Sequence, residues 1–101
     1  MKGIIYSLKY KNKIIYIGQT KRLLYVRWQE HKTHCFIRNQ NKILYTYLRN
    51  ITTFTDFDND ISIHIIREVD NDILNFMEIK AINYCINKGV FLYNEIIDSK
   101  R

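Results

Sequence analysis

The spacing of apolar and polar residues near the start of the chain predicts a β-hairpin. Two runs rich in β-branched and aromatic residues, 3–10 and 13–18, are separated by the turn-like pair Lys11 and Asn12. A three-residue loop over 10–12 fits this pattern, with Asn12 in the left-handed conformation that asparagine tolerates. We therefore expect two antiparallel strands joined by a tight turn.

The register of this hairpin decides whether two tyrosines share a face of the sheet. With a three-residue loop, Lys9 faces Lys13, and Tyr6 stands opposite Tyr16 with both phenols on one face. A loop with an even number of residues would put the phenols on opposite faces, because a shift of one residue inverts every side chain of a strand. The register is therefore a sharp test of any site that uses both tyrosines.

Three stretches with helical spacing of apolar residues follow the hairpin. The first begins after Thr20, a residue type that caps helices, and runs to about residue 34. The second covers about 42–50. The third begins at residue 71 or 72 and ends near residue 87, where Gly89 follows as an ordinary C-terminal stop. We expect these to be the main helices of the protein.

One later segment, 61–67, alternates β-branched and polar residues and predicts a third strand. The preceding segment, 52–60, is polar and acidic enough to be a loop. The order strand, strand, helix, helix, strand, helix predicts an α+β fold, with a small antiparallel three-stranded sheet flanked by about three helices. Because proline is absent and glycine scarce, we expect one domain over 1–101.

The charge of the chain favours an anionic partner. Lys and Arg number 16 against 10 Asp and Glu, which gives a formal net charge of +6. Nucleic acid is one such partner and an anionic membrane surface is another. No apolar run approaches the roughly 20 residues that span a bilayer, and the opening lacks a signal-peptide core. We expect no membrane insertion and an intracellular location, cytoplasmic or, in a eukaryote, nuclear.

A carboxylate interrupts the apolar stripe of the third helix. Glu78 lies four positions from Leu74 and Ile82, three from Ala81 and seven from Cys85, so all of them share one helical face. Burying an ionised carboxylate without a partner is costly, so Glu78 should face a metal ion, a cation or a wet cleft. A structural ion pair with an arginine or a lysine explains the pattern equally well.

Arg27, His31 and His34 share one face of the first helix, at steps of four and three. Taken alone, such a face is usually just solvated. The two strand tyrosines, Tyr6 and Tyr16, are likewise more often cross-strand packing partners than catalysts. None of these features is specific by itself.

Together, however, these features follow the order of a known nuclease family. Two motifs with tyrosines ten residues apart precede an arginine nine residues after a glycine, a histidine four residues later, a glutamate on a late helix and an asparagine near the end. They are Ile4-Ile5-Tyr6, Tyr16-Ile17-Gly18, Arg27, His31, Glu78 and Asn94. The pattern resembles the GIY-YIG nuclease superfamily over almost the entire chain, with Ile4 where the first motif has glycine.

This resemblance implies hydrolysis of DNA phosphodiester bonds with one magnesium or manganese ion held by Glu78, a hard oxygen ligand. It also implies that Arg27 stabilises the charge on the attacked phosphate and that Tyr6 takes a proton from the attacking water. Tyr16 and His31 would orient water or phosphate. The resemblance also implies supporting roles for Gly18, Lys21 and Asn94.

A basic rim around such a site would contact DNA phosphates. The residues expected there are Lys21, Arg22, Lys32, Arg38, Lys42 and Arg49. Substrate selectivity would come from DNA shape, from a homodimer or from a protein partner, and a role in repair, recombination, homing or restriction stays open. The main alternative is a non-catalytic nucleic-acid-binding module or partner subunit with the same fold, which would be marked by loss of Arg27 or Glu78.

Overall fold

Two long strands form the predicted hairpin in the computed structural model, which describes residues 2–94. β1 spans Lys2–Tyr10 and β2 spans Lys13–Thr20. The loop is the pair Lys11 and Asn12, whose φ angles of 51° and 66° are both left-handed, as in a type I′ turn. The predicted three-residue loop is wrong, because a two-residue turn of this kind matches the natural twist of the strands.

A β-bulge in β2 compensates for the shorter loop. Lys9 pairs with Ile14 and Leu8 pairs with Tyr16, so Ile15 is an extra residue. Ile15 and Tyr16 pack into the same core cluster, on the same face of the sheet. With a two-residue loop and no bulge, Tyr16 would lie on the opposite face from Tyr6. The bulge places Tyr16 on the same face as Tyr6.

The two motif tyrosines share a face but do not pair directly. Tyr6 lies opposite Gly18 in the β1–β2 register, whereas Tyr16 lies opposite Leu8. The predicted pairing of Tyr6 with Tyr16 is therefore wrong by two residues. Their common face is confirmed, because Tyr6 and Tyr16 belong to one cluster.

A third strand completes the predicted sheet. β3 spans Ile61–Asp70, three residues longer than expected, and pairs antiparallel with β1. The strand order β2-β1-β3 puts β1 in the centre. The predicted α+β class with an antiparallel three-stranded sheet is confirmed.

Three long helices lie close to the predicted positions. α1 spans Leu24–Phe36 and α2 spans Ile43–Ile51. A four-residue helix, α3, spans Phe57–Asp60 inside the predicted loop. After a 3-10 turn, α4 spans Leu74–Asn87. Among residues 2–94, no helix is both long and apolar enough to cross a bilayer.

Two expectations about helix ends have different outcomes. Thr20 does not cap α1, which begins four residues later with Leu23 at the cap position and no side-chain bond. Thr20 instead accepts a hydrogen bond from the amide of Arg22 at 3.0 Å, because the short connection forms its own turn. The predicted stop after α4 is confirmed by Gly89, whose φ is 83°.

The sheet carries a core cluster on each face, so the protein has three layers. One cluster joins the sheet to α1, α2 and α3 through Tyr6, Leu48 and Phe57, among others. The second joins the opposite face to α4 through Ile17 and Leu74, among others. The tyrosines therefore face α1 and α2, while Glu78 approaches from the other layer.

Candidate active site

A chain of buried hydrogen bonds joins Tyr6, His31 and Tyr45. The Oη atom of Tyr6 lies 2.6 Å from Nε2 of His31, and Nδ1 of His31 lies 2.8 Å from Oη of Tyr45. The exposed fractions of these residues are 0%, 1% and 2%. Sequence reasoning missed Tyr45, whose hydroxyl reaches His31 because α2 packs against α1. A tyrosine beside the apolar stripe of α2 was the available signal.

Arg27 lies between this hydrogen-bond network and the carboxylate of Glu30. Its Nε donates to Oη of Tyr6 at 3.2 Å, and its Nη1 donates to Oε1 of Glu30 at 3.1 Å. Glu30 also accepts from Arg22 at 2.7 Å. Helical spacing explains this grouping, because residues three and four positions apart lie on one face of α1. Arg27 therefore places a positive charge directly beside Tyr6.

The protonation states of this cluster follow from its burial. Burial, followed by the charges of Arg27 and nearby basic groups, holds the pKa of His31 well below its ordinary value, so the imidazole is neutral. Burial and Tyr16 raise the pKa of Tyr6, while Arg27 opposes the increase, so the phenol is also neutral. Tyr6 therefore accepts from Arg27 and donates to Nε2 of His31, whose Nδ1–H donates to Tyr45.

Tyr16 and Gly18 complete the wall of the cluster on β2. The ring of Tyr16 is edge-on to His31 with centroids 5.5 Å apart, and 6.3 Å from the ring of Tyr6. A methyl group at Gly18 would lie 2.5 Å from Cζ and Oη of Tyr6. Glycine is therefore required here for space, because the phenol crosses directly over the backbone of β2.

Glu78 forms a separate polar group at the edge of the sheet. Its Oε1 accepts a hydrogen bond from Nε2 of Gln19 at 3.0 Å, and the same amide donates to Oδ1 of Asn75. Sequence reasoning missed both amides, although Gln19 directly follows the Tyr-Ile-Gly motif and Asn75 lies one turn before Glu78. Gln19 on β2, which also bonds to Asn75, therefore contacts the carboxylate of Glu78 on α4 directly.

Glu78 is a half-buried carboxyl whose hydrogen-bond partner is an amide. Burial raises the pKa of this half-buried carboxyl, and Gln19 partly offsets the increase. Within residues 2–94, no ion pair joins Glu78 to a lysine or an arginine, contrary to the structural alternative. The same residues contain no group of three or more His, Cys, Asp or Glu side chains arranged for a metal. A single carboxylate leaves room for water and phosphate oxygens, which suits magnesium.

The structure therefore gives the predicted site two parts. Tyr6, Tyr16, Arg27 and His31 lie together in one layer, whereas Glu78 reaches the sheet edge from the other. No hydrogen bond or ion pair within the described chain joins Glu78 to Tyr6 or Arg27. Burial raises the pKa of Tyr16 and Arg27 lowers it, and the charge of Glu78 raises it by a smaller amount. A ligand that spans both parts would be needed to link them.

Asn94 fastens the outer edge of β2. Its Oδ1 accepts from the amide of Ile17 at 3.1 Å, and its Nδ2 donates to the carbonyl of Ile17 at 2.6 Å. The neighbouring amide of Tyr93 donates to the carbonyl of Ile15 at 2.8 Å. These bonds satisfy backbone groups that β1 does not reach, and they hold the strand that carries Tyr16 and Gly18.

The predicted basic rim divides into engaged and unengaged residues. Arg22 pairs with Glu30, Lys32 pairs with Asp58, and Arg49 donates to two backbone carbonyls. In the described part of the chain, no hydrogen bond or ion pair is formed by the exposed side chains of Lys21, Arg38 and Lys42. The second group is therefore the part of the rim that is available to an anion without breaking an internal contact.

Comparisons with protein-family models, curated proteins and solved structures find no match to this chain.

Proposed function

We propose that this protein is a metal-dependent endonuclease that hydrolyses DNA phosphodiester bonds, with Arg27 and Tyr6 in its active site. The observation that carries the proposal is the continuous hydrogen-bond chain from a guanidinium through a phenol to a neutral imidazole. Phosphate binding, activation of water and proton acceptance are the three tasks of such a hydrolysis. The chain offers one group for each task.

Arg27 would bind and stabilise the attacked phosphate. Its guanidinium is partly exposed, and its Nη1 is shared with the carboxylate of Glu30. A phosphodiester replacing Glu30 would gain charge-assisted hydrogen bonds that strengthen as negative charge grows on its oxygens. Loss of one such preorganised donor typically costs about a hundredfold to a thousandfold in rate.

The proton of the attacking water would pass through Tyr6 to His31. As one O–H bond of water breaks, Oη of Tyr6 takes that proton and releases its own hydroxyl proton to Nε2 of His31. The water oxygen forms its bond to phosphorus, the bond from phosphorus to the leaving ester oxygen breaks, and that oxygen takes a proton from solvent. His31 then releases the relayed proton to solvent, a release that its lowered pKa favours. This relay suits a phenol whose raised pKa disfavours a free phenolate at neutral pH.

Water needs a route to Tyr6, because this residue is completely buried. Of its hydrogen-bond partners, Arg27 is the more exposed, with 23% of its side chain accessible, and His31 is closed off. Movement of Arg27 toward a bound phosphate would open the Oη atom to solvent. Substrate binding would thereby activate the base at the moment it is needed.

Glu78 would hold the divalent cation, with Gln19 orienting its carboxylate. When bound, magnesium or manganese supplies Lewis-acid stabilisation of charge on phosphate oxygens. The raised pKa of Glu78 is consistent with a carboxylate that gains stability when a cation arrives. Asn94 would keep β2, and with it Tyr16 and Gly18, in register beside the reacting groups.

Purified protein incubated with plasmid, branched and single-stranded DNA, with magnesium or manganese, tests this function. Arg27→Ala and Glu78→Gln should each lower cleavage by about a hundredfold or more, and Tyr6→Phe should do the same. Lys80→Ala, on the exposed face of α4, is the control that should cut normally. Equal cleavage by all variants would exclude the proposed site. DNA binding without cleavage by any protein would favour the non-catalytic module.

A further inference from the structure

A polar cleft between α1 and α2 adjoins the proposed active site. It has a volume of about 530 Å³ and is lined by Arg27, His34, Gln40, Asn41, Lys42 and Tyr45. Two of these residues, Arg27 and Tyr45, also belong to the hydrogen-bond network around His31. A group bound in this cleft, called here the α1–α2 cleft, would therefore lie next to a phosphate held by Arg27.

The lining of the α1–α2 cleft is cationic. Arg27 and Lys42 carry permanent charges, and no Asp or Glu lines the cleft. The pKa of His34 is lowered, first by burial and then by the charges of Arg27, Arg38 and Lys42, while Glu30 opposes part of this decrease. These positive charges lie close enough to His34 to disfavour its protonation, and a bound anion would reduce the repulsion between them. The remaining lining residues contribute amide and hydroxyl donors, which suit phosphate oxygens.

The wall of the cleft is built in advance by Arg49. Its Nη1 donates to the carbonyl of Cys35 at 2.8 Å and its Nη2 to the carbonyl of Gln40 at 3.1 Å. The amide of Gln40 also donates to the carbonyl of His34 at 3.0 Å. The end of α1 and the loop that precedes α2 are therefore fastened to each other, so the cleft requires little ordering when a ligand binds.

A neighbouring groove lacks this character. The groove on the outer side of α1 contains Glu30 beside Arg22 and Arg38, so a carboxylate already neutralises part of its charge. A second groove, along α2, has Lys42 as its single cation and the ring of Tyr93 as a wall. The α1–α2 cleft is the one of these three that combines Lys42, which forms no ion pair in the described chain, with a residue of the proposed site, Arg27, whose own charge is shared with Glu30.

We propose that the α1–α2 cleft binds the DNA phosphate adjacent to the scissile one, with Lys42 and His34 as its contacts. This inference rests on the proposed function, because the position of the scissile phosphate at Arg27 defines the neighbour. The volume of the cleft admits a phosphate with its sugar rather than a single ion. The strand would leave the active site between α1 and α2, and Arg49 would act as a positioning residue for the cleft wall.

DNA binding measured by fluorescence anisotropy, in EDTA and at several salt concentrations, tests the cleft independently of cleavage. Lys42→Ala should weaken binding to a short DNA by about fivefold and reduce the salt slope of log K by about one. Arg49→Met should also weaken binding, because it releases the loop that precedes α2 while His34 and Lys42 are still present. Lys80→Ala is the matched control on a remote face and should change neither quantity.

Two results would overturn the inference. One is a Lys42→Ala variant with the affinity and salt slope of the wild type, and the other is an equal loss in Lys42→Ala and Lys80→Ala, which would indicate a general charge effect. If the wild type cleaves DNA, Lys42→Ala should raise KM more than it lowers kcat. Binding that depends on Lys42 in a protein that never cleaves would refute the nuclease function while keeping the cleft as a phosphate site.

Discussion

The hydroxyl oxygen of Tyr6 lies 2.6 Å from Nε2 of His31, and both side chains are closed off from solvent. This contact fastens the central strand to α1 through two polar groups inside an otherwise apolar layer. Buried polar groups are tolerated when each has a partner, and here the partners continue through Tyr45 and Arg27. The stability of the protein and its proposed chemistry therefore depend on the same hydrogen bonds.

The burial of His31 predicts a pH-dependent stability. Its folded pKa lies well below the ordinary value, so the unfolded chain binds more protons once the pH falls below that ordinary value, near 6.5. The contribution of His31 is complete above this pH and is lost as the pH falls toward the folded pKa, by at most about 1.4 kcal/mol per unit. Urea unfolding from pH 7.5 to 4.5 should show this slope. His31→Gln should flatten it and exposed His64→Gln should not; identical slopes in all three would contradict the prediction.

Gly18→Ala should abolish cleavage by displacing Tyr6. The added methyl group would lie 2.5 Å from Oη of Tyr6, which is in the hydrogen-bonded cluster, and 2.8 Å from Cε2 of Tyr16, whose ring packs against it. We expect a stability loss of about 1–3 kcal/mol. Gly3→Ala is the matched control, because its methyl group would meet the flexible end of Leu74 at 2.6 Å, away from the cluster. Similar loss of activity in both variants would show that overall destabilisation is the cause.

Gln19→Leu should weaken metal binding. The substitution removes the hydrogen bond that orients Glu78 and partly lowers its pKa, so the carboxyl becomes harder to ionise. Loss of such an outer contact typically costs about tenfold to a hundredfold in metal affinity. The magnesium concentration needed for half-maximal cleavage should rise accordingly. Asn83→Ala, on the exposed side of α4, should leave this concentration unchanged, and an unchanged value in Gln19→Leu would refute the role of the amide.

Asn94→Ala should destabilise the edge of the sheet. It removes both hydrogen bonds to Ile17 and leaves two backbone groups without their partner, at a cost of about 1–3 kcal/mol. Asn94→Asp should also be destabilising, because the carboxylate cannot donate to the carbonyl of Ile17. Denaturant midpoints measure the effect. A stable aspartate variant would indicate that the bond to the amide alone fastens this edge.

Glu30→Gln should strengthen DNA binding. The carboxylate accepts bonds from both Arg22 and Arg27, and its charge repels a phosphate that approaches them. Removing that charge leaves two arginines for the substrate, so metal-free affinity should rise about severalfold, with a steeper salt dependence. Asp58→Asn, beside Lys32, is the comparison for a general loss of negative charge. Weaker binding by Glu30→Gln would indicate that Glu30 holds Arg27 in its active position.

The parts of this site that follow from local periodicity could be predicted from the sequence. Arg27 and His31 share a face because four residues complete about one helical turn, and Tyr6 lies on a strand whose residues favour extended structure. The predicted α+β class also follows from the order of strands and helices. These features depend on neighbouring residues, which are visible in one stretch of sequence.

The parts that were missed depend on contacts between distant residues. Tyr45 reaches His31 only because α2 packs on α1, and Gln19 meets Glu78 across two layers of the fold. Neither the two-residue turn that begins at Lys11 nor the bulge at Ile15 was predicted. Each irregularity shifts the register by one, so the correct face for Tyr16 resulted from two departures that offset each other.

The bulge has a consequence for how such proteins are recognised in genomes. A homologue without a residue at Ile15 would still pair Leu8 with Tyr16 and would present the same two phenols beside Gly18. The number of residues between the two tyrosines can therefore change by one without moving either ring. Searches that demand a fixed gap between the motifs would overlook chains whose two tyrosines occupy the same positions in space.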